Sequence, residues 1–163
     1  MSEVTMTLAA SVTLTNIIDY ILTDENGNER DLTFDLKYKL LRNKNVLAED
    51  FFKFNEKRVA TVRALGIVNK ETNMVSVPEE KMEEFKSTMI EFASSTVTRD
   101  LIKISVDDVS LLKMPAVSST EMDLFMAVMV DDPVFNEQHP VEAEPEVHVE
   151  TEPESHVEAE PEK

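Results

Sequence analysis

The stretch "TDENGNERDLTF", residues 23 to 34, decides the fold. It holds the chain's single Asn-Gly pair, Asn26 and Gly27, set between two apolar runs. Asn-Gly in that position is the usual mark of a two-residue β-hairpin turn. A hairpin would set Ile21 opposite Leu32 and Ile17 opposite Leu36, which suits one buried face. The same register sets Leu22 against Asp31 and Asp19 against Phe34, and a half-buried sheet avoids such pairs. Before the turn, Leu14, Ile17, Ile18 and Ile21 recur at i, i+3, i+4 and i+7, the spacing of one helix face. After it, "LTFDLKYKL" alternates from Leu32 to Leu40 as a strand would. Yet a helical seam runs on through Leu36, Leu40, Asn43, Leu47, Phe51, Phe54, Val62 and Leu65. The expected arrangement is helix, polar loop, then a long helix from near Asp35; the hairpin is the alternative.

Working outward, Gly66 stands where a helix-capping glycine belongs. "IVNKETNMVSV" follows as two β-branched pieces around a polar turn, a loop or small hairpin. Pro78, Glu79 and Glu80 suit a helix start, and Met82, Phe85, Met89 and Phe92 form a seam to match the long helix. Two helices so joined pack antiparallel. "TRDLIKISV" reads as strand or extended chain, and Ser118 with Glu121 forms a capping box for a last helix through about Val130. The class is therefore mostly α, with α+β the alternative. It comprises an antiparallel helical hairpin, short flanking helices and a small extended segment.

Charge divides the chain in two. Net charge is −17, and residues 133–163, with ten Glu and one Lys, carry −9 of it. From Val141 the octads "VEAEPEVH", "VETEPESH" and "VEAEPE" repeat, with Pro145, Pro153 and Pro161 in register. Such proline and like charge forbid a stable strand, so residues 133–163 are expected to be a disordered acidic tail after a helical domain of 1–132. An acidic protein is not drawn to nucleic acid or anionic membrane. Cysteine is absent, Glu3 does not fit a signal peptide, and the uncharged run Val4–Ile18 is too short to span a bilayer. A cytoplasmic location is expected, within a host cell or on a virion.

The body's order is a short apolar helix, "LKYKLLRNKNVLAEDFFKFNEKRVATV", a variable turn, "EEFKSTMIEFASSTVTRDLIKISVDDVSLL" and a short apolar helix. This resembles the layout of small uncharacterised proteins encoded by tailed bacteriophages and prophages. In them a helix carrying an Arg-Asn pair and a later aromatic and Arg, here Arg42, Asn43, Phe54 and Arg58, precedes a second helix and an extended I-x-I segment. The resemblance spans roughly residues 10 to 130. It implies a phage origin and a mostly helical fold, and it brings no biochemical activity.

No catalytic, cofactor or metal residues are assigned. His139, His148 and His156 all lie in the tail, and two glycines cannot build a phosphate loop. Glu49-Asp50, Asp107-Asp108 and Asp131-Asp132 are sequence neighbours whose side chains diverge, which suits solvated faces or caps. Asp24, Asn26, Asn28 and Asp35 mimic a calcium loop, but Glu29 holds the place that needs glycine. Arg42, Lys53, Lys57, Arg58 and Arg63 are expected to pair with Glu79, Glu80, Glu83 and Glu84 on the next helix, and buried Arg42-Asn43 to fix register. Beyond Glu121 and Asp123 the last helix has no polar face. Met122, Phe125, Met126 and Met129, with Arg42 and Arg58, are the expected partner-binding residues. The function expected is non-enzymatic: a structural or assembly accessory that binds a phage or host protein or a second copy of itself. Inhibition of a host nucleic-acid-binding enzyme through the acidic surface and tail is the alternative.

Overall fold

The computed structural model describes residues 1–70, 72–110, 112 and 117–132; the acidic repeats fall outside the described residues. The element order is β1 (Ser2–Thr7), α1 (Leu8–Leu22), α2 (Phe34–Leu65), β2 (Ile67–Val68), β3 (Val75–Ser76), α3 (Glu79–Ala93), β4 (Thr96–Leu101), β5 (Ile104–Ser105), α4 (Val106–Ser110), α5 (Ser119–Met129) and β6 (Val130–Asp131). The fold is mostly α with some β, as expected.

Residues 23–33 separate two helices, and the Asn-Gly turn survives as a single rung between them. Gly27 sits at φ +78°, where a side chain would be strained, and its N–H donates to the Asp24 carbonyl at 3.0 Å. Asp24 N–H donates to the Asn28 carbonyl at 2.8 Å, and one bridge joins Thr23 to Glu29. The ladder goes no further because α1 buries Ile17, Ile18, Ile21 and Leu22 on helical faces that a strand would split. Thr7 caps α1 by accepting from Ala10 N–H at 3.2 Å, and Thr33 caps α2 by accepting from Leu36 N–H at 3.4 Å.

The Asp24 carboxylate is the loop's own anchor. It accepts from the backbone N–H of Asn26 and of Asn28, each at 2.8 Å, and from the Asn28 side chain at 3.2 Å. Hydrogen bonds from the Asn28 backbone, then from its side chain, hold the Asp24 pKa below its ordinary value of 3.8. A carboxyl depressed on folding contributes stability above its unfolded pKa and loses it as pH falls through the folded one. Asn28→Ala should therefore raise the Asp24 titration midpoint in a carbon-detected NMR titration. An unchanged midpoint would deny the side-chain contribution.

The first strand is unforeseen by the sequence reading. β1 pairs antiparallel with β4 in the register Ser2–Leu101 through Thr7–Thr96. Val4 and Met6 turn inward with Val97, Arg99 and Leu101, while Glu3, Thr5, Thr98 and Asp100 face water. Alternation of period two explains both strands. The ribbon lies over α1 and α2. Those helices run antiparallel: Ser11 meets Asp50, and Asp19 pairs with Lys44. Expected as a short flanking helix, α1 is the centre of the core. Leu14, Ile17, Ile18 and Ile21 pack with Leu36, Leu40 and Leu47 of α2, with Leu101 and Ile104, and with Phe125 and Met129 of α5.

A smaller cluster joins α2 to α3 through Val62, Val75, Val77, Phe85 and Met89, with Phe54, Leu65 and Met82 half-buried around it. Gly66 caps α2, but at φ −81°, not in the left-handed region. Glycine is needed there because a Cβ would lie 2.4 Å from both the Val62 carbonyl and a Val75 methyl. β2 and β3 form the small hairpin that the turn residues suggested. The capping box of α5 is present, with Ser118 and Glu121 exchanging bonds.

Two expectations about α2 are corrected. The buried seam runs Leu36, Leu40, Asn43, Leu47 and then Asp50, whereas Phe51 is only half-buried. Steps of four and three residues reach 50 before 54, so the helix period favours Asp50 despite its charge. Nor do the cations of α2 pair with the acids of α3. Among the described residues, Lys37 pairs with Glu29, Lys39 with Asp35 and Asp108, Lys44 with Asp19, and Lys53 with Glu49. Lys57 lies 5.8 Å from the centroid of the Phe92 ring instead.

Candidate functional site

Both sides of α2 carry unusual chemistry. The inner side holds buried polar groups that clamp β4 and the residue that follows it. Asn43, fully buried, donates from Nδ2 to the Ile102 carbonyl and accepts from Ile102 N–H, both at 2.8 Å. Two turns on, Asp50 is also fully buried. Its Oδ2 accepts from Ser11 Oγ at 2.7 Å and from Arg99 Nε at 3.0 Å, and its Oδ1 pairs with Arg99 Nη2. Sequence reading placed Asp50 on a solvated face; that is corrected. Its charge is tolerated because a guanidinium fork and a hydroxyl meet it. Lys103 completes the clamp, its Nζ donating to the Val128 carbonyl at 2.6 Å, and burial pushes its pKa below 10.5.

These groups bond one another and the backbone. Asn43→Leu strands both the N–H and the carbonyl of Ile102, so it should destabilise the fold by about 2 to 4 kcal/mol. Urea denaturation reads this, and a loss under about 0.5 kcal/mol would mean that water serves the strand as well as Asn43 does.

The outer side of α2 is apolar where it meets solvent. Phe34, Tyr38, Leu41 and Phe52 are 87%, 55%, 40% and 65% exposed. With exposed Asn45 and half-buried Ala48 they form the series 34, 38, 41, 45, 48, 52, which repeats the buried seam's steps of four and three. Each position lies about 160° to 200° around the helix from a seam residue, so α2 has two opposite apolar faces. Over its length the outer face extends about 27 Å. Asp35, Arg42 and Glu49 flank it on one side, Lys37 and Lys44 on the other.

The partner-binding residues expected from sequence are dispersed. Phe125 and Met129 are fully buried in the core; they are not a surface, and this is a correction. Met122 and Met126 are half-buried, and Met126 packs on the same core. α1, which packs along α5, and β5, which pairs with β6 at its end, place α5 in the core more completely than a two-helix core would. Arg42 is exposed beside the outer face, while Arg58 is half-buried about 160° around α2 from it. The Arg42-Asn43 pair is likewise divided, with Asn43 alone buried. Sequence reading missed Phe34, Tyr38, Leu41 and Phe52, although their heptad spacing was there to be found.

Among the described residues no group of His, Asp and Glu is placed to hold a metal ion, and no helix is long and apolar enough to cross a membrane. Comparison with protein-family models, with curated proteins and with solved structures finds no match.

Proposed function

We propose that this chain is a non-enzymatic phage protein that acts by protein–protein interaction, as a structural or assembly accessory factor. One observation supports the binding reading above others: the exposed apolar outer face of α2, with Phe34 and Phe52 at its ends. A monomer gains nothing from holding such residues in water at helical spacing, whereas a partner would bury them. The phage assignment rests on the resemblance carried by Arg42, Asn43, Phe54 and Arg58.

The test is photo-crosslinking in host cells, with the reactive residue placed singly at Phe52, Tyr38 or Glu80. Discrete protein adducts are expected at 52 and 38 and not at 80, which lies on the acidic face of α3. Adducts at 80 alone would favour the alternative, inhibition of a host nucleic-acid-binding enzyme. Adducts at none of the three would overturn binding through either face.

A further inference from the structure

Independently of the binding reading, we infer that Asn26 is a site of spontaneous covalent change, cyclising onto the backbone nitrogen of Gly27, and that Asp24 holds it in check. The reaction needs a following residue whose nitrogen can be approached closely. Every other asparagine in the chain precedes a residue with a side chain, as Asn28 precedes Glu29, and a Cβ there crowds the approach. Asn26 alone precedes glycine, and both residues are exposed. In the first step Gly27 N gives its proton to water and bonds to the carbonyl carbon of the Asn26 side chain. The bond from that carbon to the side-chain nitrogen breaks, and ammonia leaves. Water then opens the five-membered ring at either carbonyl. One opening leaves aspartate; the other leaves isoaspartate, with the main chain routed through the side-chain methylene. The net change consumes one water, releases one ammonia and needs no oxidant.

The local fold sets how fast this runs. The Asn-Gly pair does not fill the two central places of a tight turn. Glu25 and Asn26 fill them, and Gly27 follows in the left-handed region. Gly27 N–H, whose proton must be given up, donates to the Asp24 carbonyl at 3.0 Å. One Asp24 carboxylate oxygen, Oδ1, accepts from the N–H on either side of Gly27, at Asn26 and at Asn28, each at 2.8 Å. Arg30 N–H, donating to the Leu22 carbonyl at 2.9 Å, closes the base of the loop. Gly27 N cannot swing onto the Asn26 side chain until the bonds to Asp24 open, so Asp24 acts through the turn as a positioning residue. Isoaspartate at 26 lengthens the backbone inside this ring of bonds by one carbon, which parts them and loosens the connection from α1 to α2.

The experiment incubates the full chain at neutral pH and follows each asparagine by peptide mapping and mass spectrometry, scoring aspartate and isoaspartate separately. Circular dichroism is the check on folding. Folded wild type should change at Asn26 faster than at Asn28, which shares the loop, yet more slowly than the same chain unfolded in urea. Asp24 lies outside both apolar clusters, so Asp24→Ala should keep the helical spectrum. It should speed the change at Asn26 about tenfold, the factor that hydrogen bonds of ordinary net strength correspond to. Asp24→Asn keeps an accepting oxygen without the charge and should fall between wild type and Asp24→Ala. Folded wild type that changes no faster at Asn26 than at Asn28 overturns the site. Equal rates in folded and unfolded wild type, or an Asp24→Ala chain that is folded and no faster, overturn the role of Asp24.

Discussion

Arg99→Ala should destabilise the fold by about 3 to 5 kcal/mol, the range for removing one partner of a buried ion pair. The reason lies in what stays behind. Asp50 remains fully buried with only the Ser11 hydroxyl as donor, and a carboxylate so placed has neither water nor countercharge. Arg99 reaches it from β4 while its own side chain is 22% exposed, so the pair joins the ribbon to the middle of α2. The isolated loss of a surface cation would be worth well under 1 kcal/mol, so the size of the effect decides between the two pictures. Urea denaturation at neutral pH measures it. A companion variant sharpens the test: Asp50→Leu with Arg99→Met removes both charges and should cost less than Arg99→Ala alone. If the single substitution costs less than about 1 kcal/mol, water reaches Asp50 and the clamp is not tight.

Why was this pair illegible when most of the helices were not? Periodicity marks a residue for burial only when the residue is apolar. Leu36, Leu40 and Leu47 announce a seam, and Asp50, which continues it, reads as the place where it swerves to Phe51. What makes Asp50 tolerable inside is Arg99, a residue 49 positions away, and no local pattern carries that distance. The strand β1 was overlooked for a different cause. Its alternating Val4 and Met6 run directly into the apolar positions of α1, so one uncharged run hid two elements. The "LTFDLKYKL" ambiguity had a physical source too. Phe34, Tyr38, Leu36 and Leu40 alternate because α2 is apolar on two opposite faces, which imitates the period of a strand. The feature that favoured the wrong element is thus the outer face on which the functional proposal stands.

The other large effect is expected at Phe125, and it separates core from interface on α5. Phe125→Ala should cost about 3 to 5 kcal/mol, as removal of a fully buried aromatic does, and the loss should be the same at every protein concentration. Phe125 lies among α1, α2 and the chain after β4, where truncation opens a cavity that rigid helices cannot close. Had the last helix been an interface, the same substitution would leave monomer stability intact and lower the dimer mass. Phe54→Ala is the internal control. Phe54 is half-buried at the edge of the smaller cluster, so its truncation should cost roughly half as much or less. Chemical denaturation of both variants gives the ratio. Equal losses would place Phe54 as deep as Phe125 and join the two clusters into one core. A Phe125 variant with unaltered stability and reduced mass would return the partner contact to α5, and the outer face of α2 would lose its claim.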